Sequence, residues 1–177
     1  MQLLEIFKDK DVLKKLEHDV FYGGMPVIFS NKSATKFNQT LSEFTESYLI
    51  PIIHFKEKEY YPYLYQTIEN FYKQNNRPLH LELCKILIYP SSFDGLVHCD
   101  NEDDKDTLTT ITFLNSDWDV SWGGEIICYS PDLKMVIGGA TPQFGKTFVF
   151  NGRLPHRALA PIRLSSLLRI VLVTKEL

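Results

Sequence analysis

The sequence has few of the features that mark secreted, membrane or disulfide-stapled proteins. Its 177 residues include only three cysteines, Cys84, Cys99 and Cys128, and no CxxC pair. An odd number of cysteines without such spacing predicts reduced thiols instead of a disulfide framework. No apolar run approaches the roughly 18 residues that a membrane-spanning helix needs, and the charged, amphipathic N-terminus does not resemble a signal peptide. We therefore expect a cytoplasmic protein that does not cross a membrane.

The chain also has no excess of positive charge. Lysine and arginine number 19 against 22 aspartate and glutamate residues, which gives a net charge of -3 and a pI of about 5.9. Proteins that bind nucleic acid usually present a basic face, so this balance argues against that class of partner. The hydrophobic content of 44% and the charged content of 23% are ordinary for a soluble globular protein.

Apolar periodicity divides the chain into two regions of one predicted domain, residues 1–177. Residues 1–78 favour a helical support region. One helix is predicted around Val12, Leu13 and Leu16, with Asp11 as its cap. A short strand is predicted within residues 25–29 and a helix over 42–50. Another helix should begin near Pro62 and end near Asn75.

From Leu79 onward the apolar period changes to two, which indicates strands. A helical layer followed by many short strands predicts an α+β fold, with the strands forming a sandwich or a jelly-roll barrel. We expect the helices to pack on one sheet of residues 79–177. The predicted strands cover residues 79–89, 96–100, 107–114, 125–129, 135–137, 147–150 and 167–173.

The most informative pattern is a His-x-Asp pair followed by a distant histidine. His98 and Asp100 can project from the same face of a strand, because residues i and i+2 do so. His156 follows another predicted strand. Two imidazoles and one carboxylate form the three-ligand face that holds non-haem Fe(II) and leaves other coordination positions open. The alternatives are a hydrogen-bonded core histidine for His98 and a turn-capping carboxylate for Asp100.

Two arginines follow His156 and are candidates to bind a carboxylate. Arginine grips a carboxylate through two parallel hydrogen bonds. Arg169 lies in the strongest predicted strand, RIVLV, whereas Arg163 lies just before it. A cation held on a rigid strand is better positioned than one on a loop. We therefore favour Arg169 and keep Arg163 as the second candidate.

At this point the residues resemble a known family, the Fe(II)/2-oxoglutarate-dependent dioxygenases, and within it the prolyl 4-hydroxylase-like branch. The resemblance covers about residues 88–173 and rests on IYPSSFDGLVHCD, FLNSDWDVSWGGEIICYS, FNGRLPHRALAP and RIVLV. It implies a double-stranded β-helix, a jelly-roll or cupin-like barrel. It implies His98, Asp100 and His156 as metal ligands, and Tyr89 at the mouth of the cosubstrate pocket. It also implies Fe(II), 2-oxoglutarate and O2, with ascorbate as a candidate reductant.

The sequence departs from the family pattern at two places. The family often has a tyrosine before the Leu-Asn pair that binds the 2-oxoglutarate carboxylate, and here that residue is Phe113. Thr112, Tyr89 or a water would have to supply the hydrogen bond instead. The two arginines also stand at spacings after His156 that differ from the usual one, which leaves Arg163 and Arg169 both open.

By this resemblance the chain is a hydroxylase of a small metabolite or amino acid, or of a peptidyl prolyl residue. In the related halogenases alanine or glycine replaces the carboxylate ligand, so Asp100 favours hydroxylation. Two alternatives stay open. Arg163 and Arg169 fit the R-x5-R spacing of the nucleic-acid oxidative demethylases, although the acidic pI argues against them. A non-catalytic jelly-roll binding module is the other.

Overall fold

The structure is a computed structural model that describes residues 1–22, 28–30, 50–54, 62–77, 84–91, 94–101, 106–162 and 168–175. Within these ranges the chain forms two α-helices and two antiparallel sheets. None of the helices described is both long enough and apolar enough to span a membrane. The chain is thus mostly β-structure, in agreement with the strand pattern of its second half.

Two of the three predicted helices are confirmed at the N-terminal side of the chain. Helix α1 covers Lys10–Tyr22 and helix α2 covers Pro62–Gln74. Asp11 is not the cap of α1, because the Asp9 carboxylate accepts a hydrogen bond from the Asp11 backbone N–H at 3.0 Å. A side chain that bonds the second helical N–H is the N-cap, so the prediction was off by two residues.

The larger sheet has seven strands in the order β1-β8-β5-β10-β4-β3-β2, with every neighbouring pair antiparallel. Its N-terminal strands show that the first 54 residues contribute strands as well as a helix. The strands of this sheet are β1 Gln2–Leu4, β2 Ile28–Ser30, β3 Ile50–His54, β4 Cys84–Pro90, β5 Leu108–Phe113, β8 Thr147–Asn151 and β10 Leu168–Lys175.

The smaller sheet has three strands in the order β7-β6-β9. These strands are β6 Ile126–Tyr129, β7 Val136–Ala140 and β9 His156–Ala158. A single turn of 3₁₀ helix, Val120–Trp122, precedes β6 and ends at Gly123, which has a positive φ of 73°. The smaller sheet therefore begins at the Gly-Gly pair that the sequence motif contains.

Alternation along β10 separates two hydrophobic clusters. Val171 and Val173 pack with residues of both sheets, including Phe148, Ile126 and Ala158. On the opposite face, Ile170 and Leu172 pack against the apolar faces of α1 and α2. The larger sheet thus has the smaller sheet on one side and the helices on the other, and the predicted packing of N-terminal helices on one sheet is confirmed.

Most of the strands predicted in the second half are found, although residues 79–83 of the strand predicted over 79–89 lie outside the described ranges. The exception is 96–100, where the described backbone forms only an isolated bridge at His98. Strands β1, β3 and β9 were not predicted, because they are short or lack a regular apolar alternation. The strand predicted within 25–29 overlaps β2, but residues 25–27 lie outside the described ranges. Of the helix predicted over 42–50, residues 42–49 are likewise outside them, and Ile50 begins β3.

Candidate metal centre

Backbone hydrogen bonds bring the two predicted histidine ligands directly opposite each other. The His98 N–H donates to the His156 carbonyl at 2.9 Å, and the His156 N–H donates to the His98 carbonyl at 2.8 Å. The Asp100 N–H donates to the Gly152 carbonyl at 2.8 Å. The segment that carries His-x-Asp is therefore fixed along the turn and strand that carry His156, although it does not itself form a strand.

The three side chains converge on one point. One ligand atom from each of His98, Asp100 and His156 lies within 4.8 Å of the other two. The His98 Nε2 is 3.5 Å from Asp100 Oδ1, and the His156 Nε2 is 3.6 Å from Asp100 Oδ2. Two ligands of one ion lie at most about 4 Å apart when each bond is about 2 Å long, and both histidine–aspartate separations are within this limit. The three residues could therefore hold one metal ion.

Both histidines are held in the ring orientation that a metal ligand needs. The Nδ1 of His98 is 2.9 Å from the Leu96 carbonyl, and the Nδ1 of His156 is 2.8 Å from the Leu154 carbonyl. A carbonyl can only accept, so each Nδ1 carries the proton and each Nε2 presents a lone pair. These carbonyls are the partners that orient the rings, and their position two residues before each histidine gives no signal in the sequence.

The surroundings of His156 and Asp100 favour the protonation states that bind a metal. Burial lowers the pKa of His156 to about 4, with the Asp100 carboxylate opposing that change, so the imidazole is neutral at neutral pH. Burial would by itself raise the pKa of Asp100. The Lys175 ammonium, His156 and His98 overcome this effect and hold the pKa well below its usual value. A neutral imidazole and an ionised carboxylate are the forms that coordinate metals.

The Asp100 carboxylate has one hydrogen-bonded oxygen and one without a donor. The Thr109 hydroxyl donates to Oδ2 at 2.6 Å. The Lys175 ammonium forms an ion pair with Oδ1, but without hydrogen-bond geometry, so Oδ1 has no hydrogen-bond donor among the described residues. A buried carboxylate needs a cation to balance its charge, and Lys175 supplies one here. Two imidazoles and one carboxylate are a ligand set that fits a divalent metal such as Fe(II).

Arg169 also has buried polar atoms without a hydrogen-bond partner among the described residues. It is fully buried on β10, its guanidinium lies 4.2 Å from the centre of the Tyr89 ring, and its Nη1 donates to the Gly124 carbonyl at 2.7 Å. Its Nε and Nη2 have no hydrogen-bond partner in the part of the chain described. Burial lowers the pKa of Arg169 to about 10, so it remains charged at neutral pH and retains two donors for an anion.

The structure distinguishes the two hydroxyl groups, those of Tyr89 and Thr112, that could replace the tyrosine missing at Phe113. Tyr89 stands directly opposite Arg169 in the β4–β10 register, whereas the Thr112 hydroxyl is bonded to the Thr147 hydroxyl at 2.9 Å. Thr112 also alternates with Phe113, which packs between the sheets. Tyr89 is therefore the better placed of the two hydroxyls that could replace the missing tyrosine. Arg163 lies outside the described residues.

Two residues beside the site were not singled out from the sequence. Thr109 belongs to β5, and Lys175 ends β10 opposite it in register. Lys175 is six residues after Arg169, so strict alternation could have placed it on the same face. The predicted strand ended at Val173 and missed it.

Trp118 and Trp122 lie half-buried in T-shaped contact, with ring centres 5.6 Å apart. They belong to neither hydrophobic cluster.

Solved structures with a similar fold were found, whereas no family model matches the chain and no curated protein matches its sequence. A prolyl-4-hydroxylase from Pseudomonas putida is similar with a TM-score of 0.66 and 17% identity, over 99% of this chain and 90% of that one. A prolyl hydroxylase from Trichoplax adhaerens, solved with a hypoxia inducible factor peptide, has a TM-score of 0.66 and 18% identity, over 99% and 82% of the two chains.

A third similar structure belongs to an enzyme with a different activity. The non-haem, alpha-ketoglutarate-dependent epimerase of nogalamycin biosynthesis has a TM-score of 0.62 and 13% identity, over 99% of this chain and 76% of that one. At these identities the likeness establishes the fold. The prolyl hydroxylase-like fold implied by the sequence motifs is thereby confirmed.

Proposed function

We propose that the chain is an Fe(II)- and 2-oxoglutarate-dependent dioxygenase that hydroxylates a C–H bond of its substrate. The single observation that carries the proposal is the convergence of His98, Asp100 and His156 at ligand distance in a prolyl hydroxylase-like fold. The overall reaction consumes O2 and 2-oxoglutarate and yields the hydroxylated product, succinate and CO2. Residues 1–177 would form one dioxygenase domain, with a double-stranded β-helix core over 79–177 supported by 1–78.

His98 and His156 would hold the metal through Nε2, and Asp100 would hold it through a carboxylate oxygen. The metal supplies the activation of O2 when it is bound. The Leu96 and Leu154 carbonyls fix the two rings, and Thr109 fixes the carboxylate. Such partners commonly change metal affinity by 10- to 100-fold. The protein's own contribution would thus be three ligands that its backbone carbonyls and Thr109 hold in orientation.

Arg169 would bind the distal carboxylate of 2-oxoglutarate. Its Nε and Nη2 are buried without partners among the described residues, and a carboxylate would accept from both in a bidentate geometry. The Tyr89 ring keeps the guanidinium in place from one side, and the Gly124 carbonyl holds Nη1. Arg163 remains the other candidate for this role.

The substrate is proposed as a small metabolite or amino acid, or a peptidyl prolyl residue. Both classes have support among the similar structures, because one of them is solved with a peptide and another acts in nogalamycin biosynthesis. A nucleic-acid demethylase and a non-catalytic binding module are the competing functions, and the experiment below separates the module from an enzyme.

The first test is anaerobic addition of Fe(II) and 2-oxoglutarate to the purified protein. We expect a weak charge-transfer band in the visible spectrum, which arises when 2-oxoglutarate chelates Fe(II). After O2 is admitted, succinate should form, and candidate amino acids, prolyl peptides and methylated oligonucleotides are then compared for stimulation. His156→Ala should lose both signals, whereas His18→Ala, on the exposed side of α1, should keep them. A wild-type protein without the band would contradict the proposal.

A further inference from the structure

Lys175 brings a second cation to the candidate metal site. It is the last residue of β10 and lies on the same face as Arg169, Val171 and Val173. Its side chain is only 16% exposed and forms an ion pair with Asp100 Oδ1, on a carboxylate that is 3% exposed. A lysine is rarely this enclosed without a partner. In the described part of the chain, Asp100 is the carboxylate within ion-pair distance of its ammonium.

The ammonium and a metal would compete for the same oxygen. A divalent ion bound to Asp100 takes up the negative charge that Lys175 now pairs with, and it repels the ammonium directly. The contact between the ammonium and Oδ1 is an ion pair, so its strength depends on the negative charge that the carboxylate presents to it. The flexible four-carbon stem of lysine allows its head to move to another partner.

The charges of the loaded site leave Lys175 without a counter-ion. A divalent metal, the Asp100 carboxylate, a doubly charged 2-oxoglutarate and the Arg169 guanidinium together carry no net charge. Lys175 therefore adds one unbalanced positive charge in a largely enclosed place, which is unfavourable unless an anion pairs with it. Six strand residues separate the Cα atoms of Arg169 and Lys175 by about 20 Å, so the carboxylate that binds Arg169 is remote from Lys175.

We propose that Lys175 is a specificity-determining residue. When the metal binds, its ammonium leaves Asp100 and pairs with an anionic group of the substrate. The inference rests on the proposed function and adds the substrate class, which is a molecule that carries a carboxylate close to the carbon that is oxidised. Lys175 pairs with Asp100 in the metal-free protein and with the substrate carboxylate in the metal-loaded one.

The first experiment measures the affinity for Mn(II) alone. Lys175→Gln removes the competing cation and leaves Asp100 without its counter-charge, so we expect it to bind Mn(II) about tenfold more tightly than wild type. Lys175→Arg should bind like wild type, and Lys134→Gln, at a lysine that is 81% exposed, serves as the control. Unchanged or weaker binding by Lys175→Gln overturns the exchange. A wild-type protein that binds no Mn(II) contradicts the proposed function instead.

The second experiment tests the freed ammonium as an anion site. Protein loaded with Zn(II), which does not react with O2, and with 2-oxoglutarate is titrated with acetate and with its neutral analogue acetamide, followed by ligand-observed NMR. We expect wild type to prefer acetate severalfold, and metal-free wild type and loaded Lys175→Gln to lose that preference. Equal binding of the two probes by loaded wild type overturns the proposal, as does an acetate preference that persists in Lys175→Gln.

Discussion

At the scale of single residues, the site combines groups that are poised for ligands with groups that hold them in position. His98 and His156 each use Nδ1 on a backbone carbonyl, which leaves Nε2 for a metal. Arg169 uses Nη1 on the Gly124 carbonyl, which leaves Nε and Nη2 without partners among the described residues. Buried donors without partners are unfavourable in a folded protein. A bound ligand that accepts hydrogen bonds from them removes this cost.

Replacement of Arg169 tests this assignment. Arg169→Met removes a buried charge and two unsatisfied donors and retains apolar contact with the Tyr89 ring. We expect the affinity for 2-oxoglutarate to fall on the order of 100-fold, because a charged, bidentate contact is lost. The melting temperature should stay equal to that of wild type or rise, because an unpaired buried charge is removed.

Titration of the anaerobic Fe(II) protein with 2-oxoglutarate and thermal unfolding give the two readouts. Arg153→Met, at an exposed arginine of the turn before His156, is the matched control and should leave both unchanged. Equal affinity of Arg169→Met and wild type for 2-oxoglutarate would remove Arg169 from the cosubstrate site and favour Arg163.

At the scale of elements, the Gly-Gly turn and β10 together build the pocket around Arg169. Gly124 has a φ of +84°, and a Cβ added there would stand 2.9 Å from the Arg169 Cδ and 3.1 Å from the Trp118 Cζ2. Its carbonyl also accepts from Arg169. Only glycine allows both the backbone conformation and the close approach at this position.

Gly124→Ala should therefore displace Arg169 as well as strain the turn. We expect a loss of about 1–3 kcal/mol in the free energy of unfolding and a reduced affinity for 2-oxoglutarate, measured by denaturant unfolding and by anaerobic titration. Gly145→Ala is the matched control, because it also has a positive φ of 70° but faces the side chain of Lys10. It should lower stability and leave the affinity unchanged. An unaltered affinity in Gly124→Ala would show that the turn does not position Arg169.

At the scale of the whole molecule, the sequence was informative where periodicity is strong and silent where contacts are long-range. The helix over Pro62–Gln74 and most of the strand over Leu168–Lys175, as far as Val173, follow from apolar spacing. The spacing of His98, Asp100 and His156 also suggested their convergence. The Leu96 and Leu154 carbonyls could not be inferred, because their contacts with the histidine rings depend on the local backbone conformation. The Thr109 hydroxyl could not be inferred because its contact with Asp100 is between distant segments, and Lys175 was missed because the predicted strand ended at Val173. The sheet order that pairs β5 with β10 is not contained in any local pattern.

The central claim is that this fold holds one metal ion between two histidines and an aspartate. A ligand that binds only the folded state stabilises it, by about 2.7 kcal/mol at a concentration 100 times the dissociation constant. The direct measurement is therefore the metal content and the melting temperature of the protein titrated with Mn(II), for wild type, His156→Ala and His18→Ala. The account predicts one bound equivalent and a rising melting temperature for wild type and His18→Ala, and neither for His156→Ala. Equal Mn(II) binding by wild type and His156→Ala, or none by wild type, would contradict it.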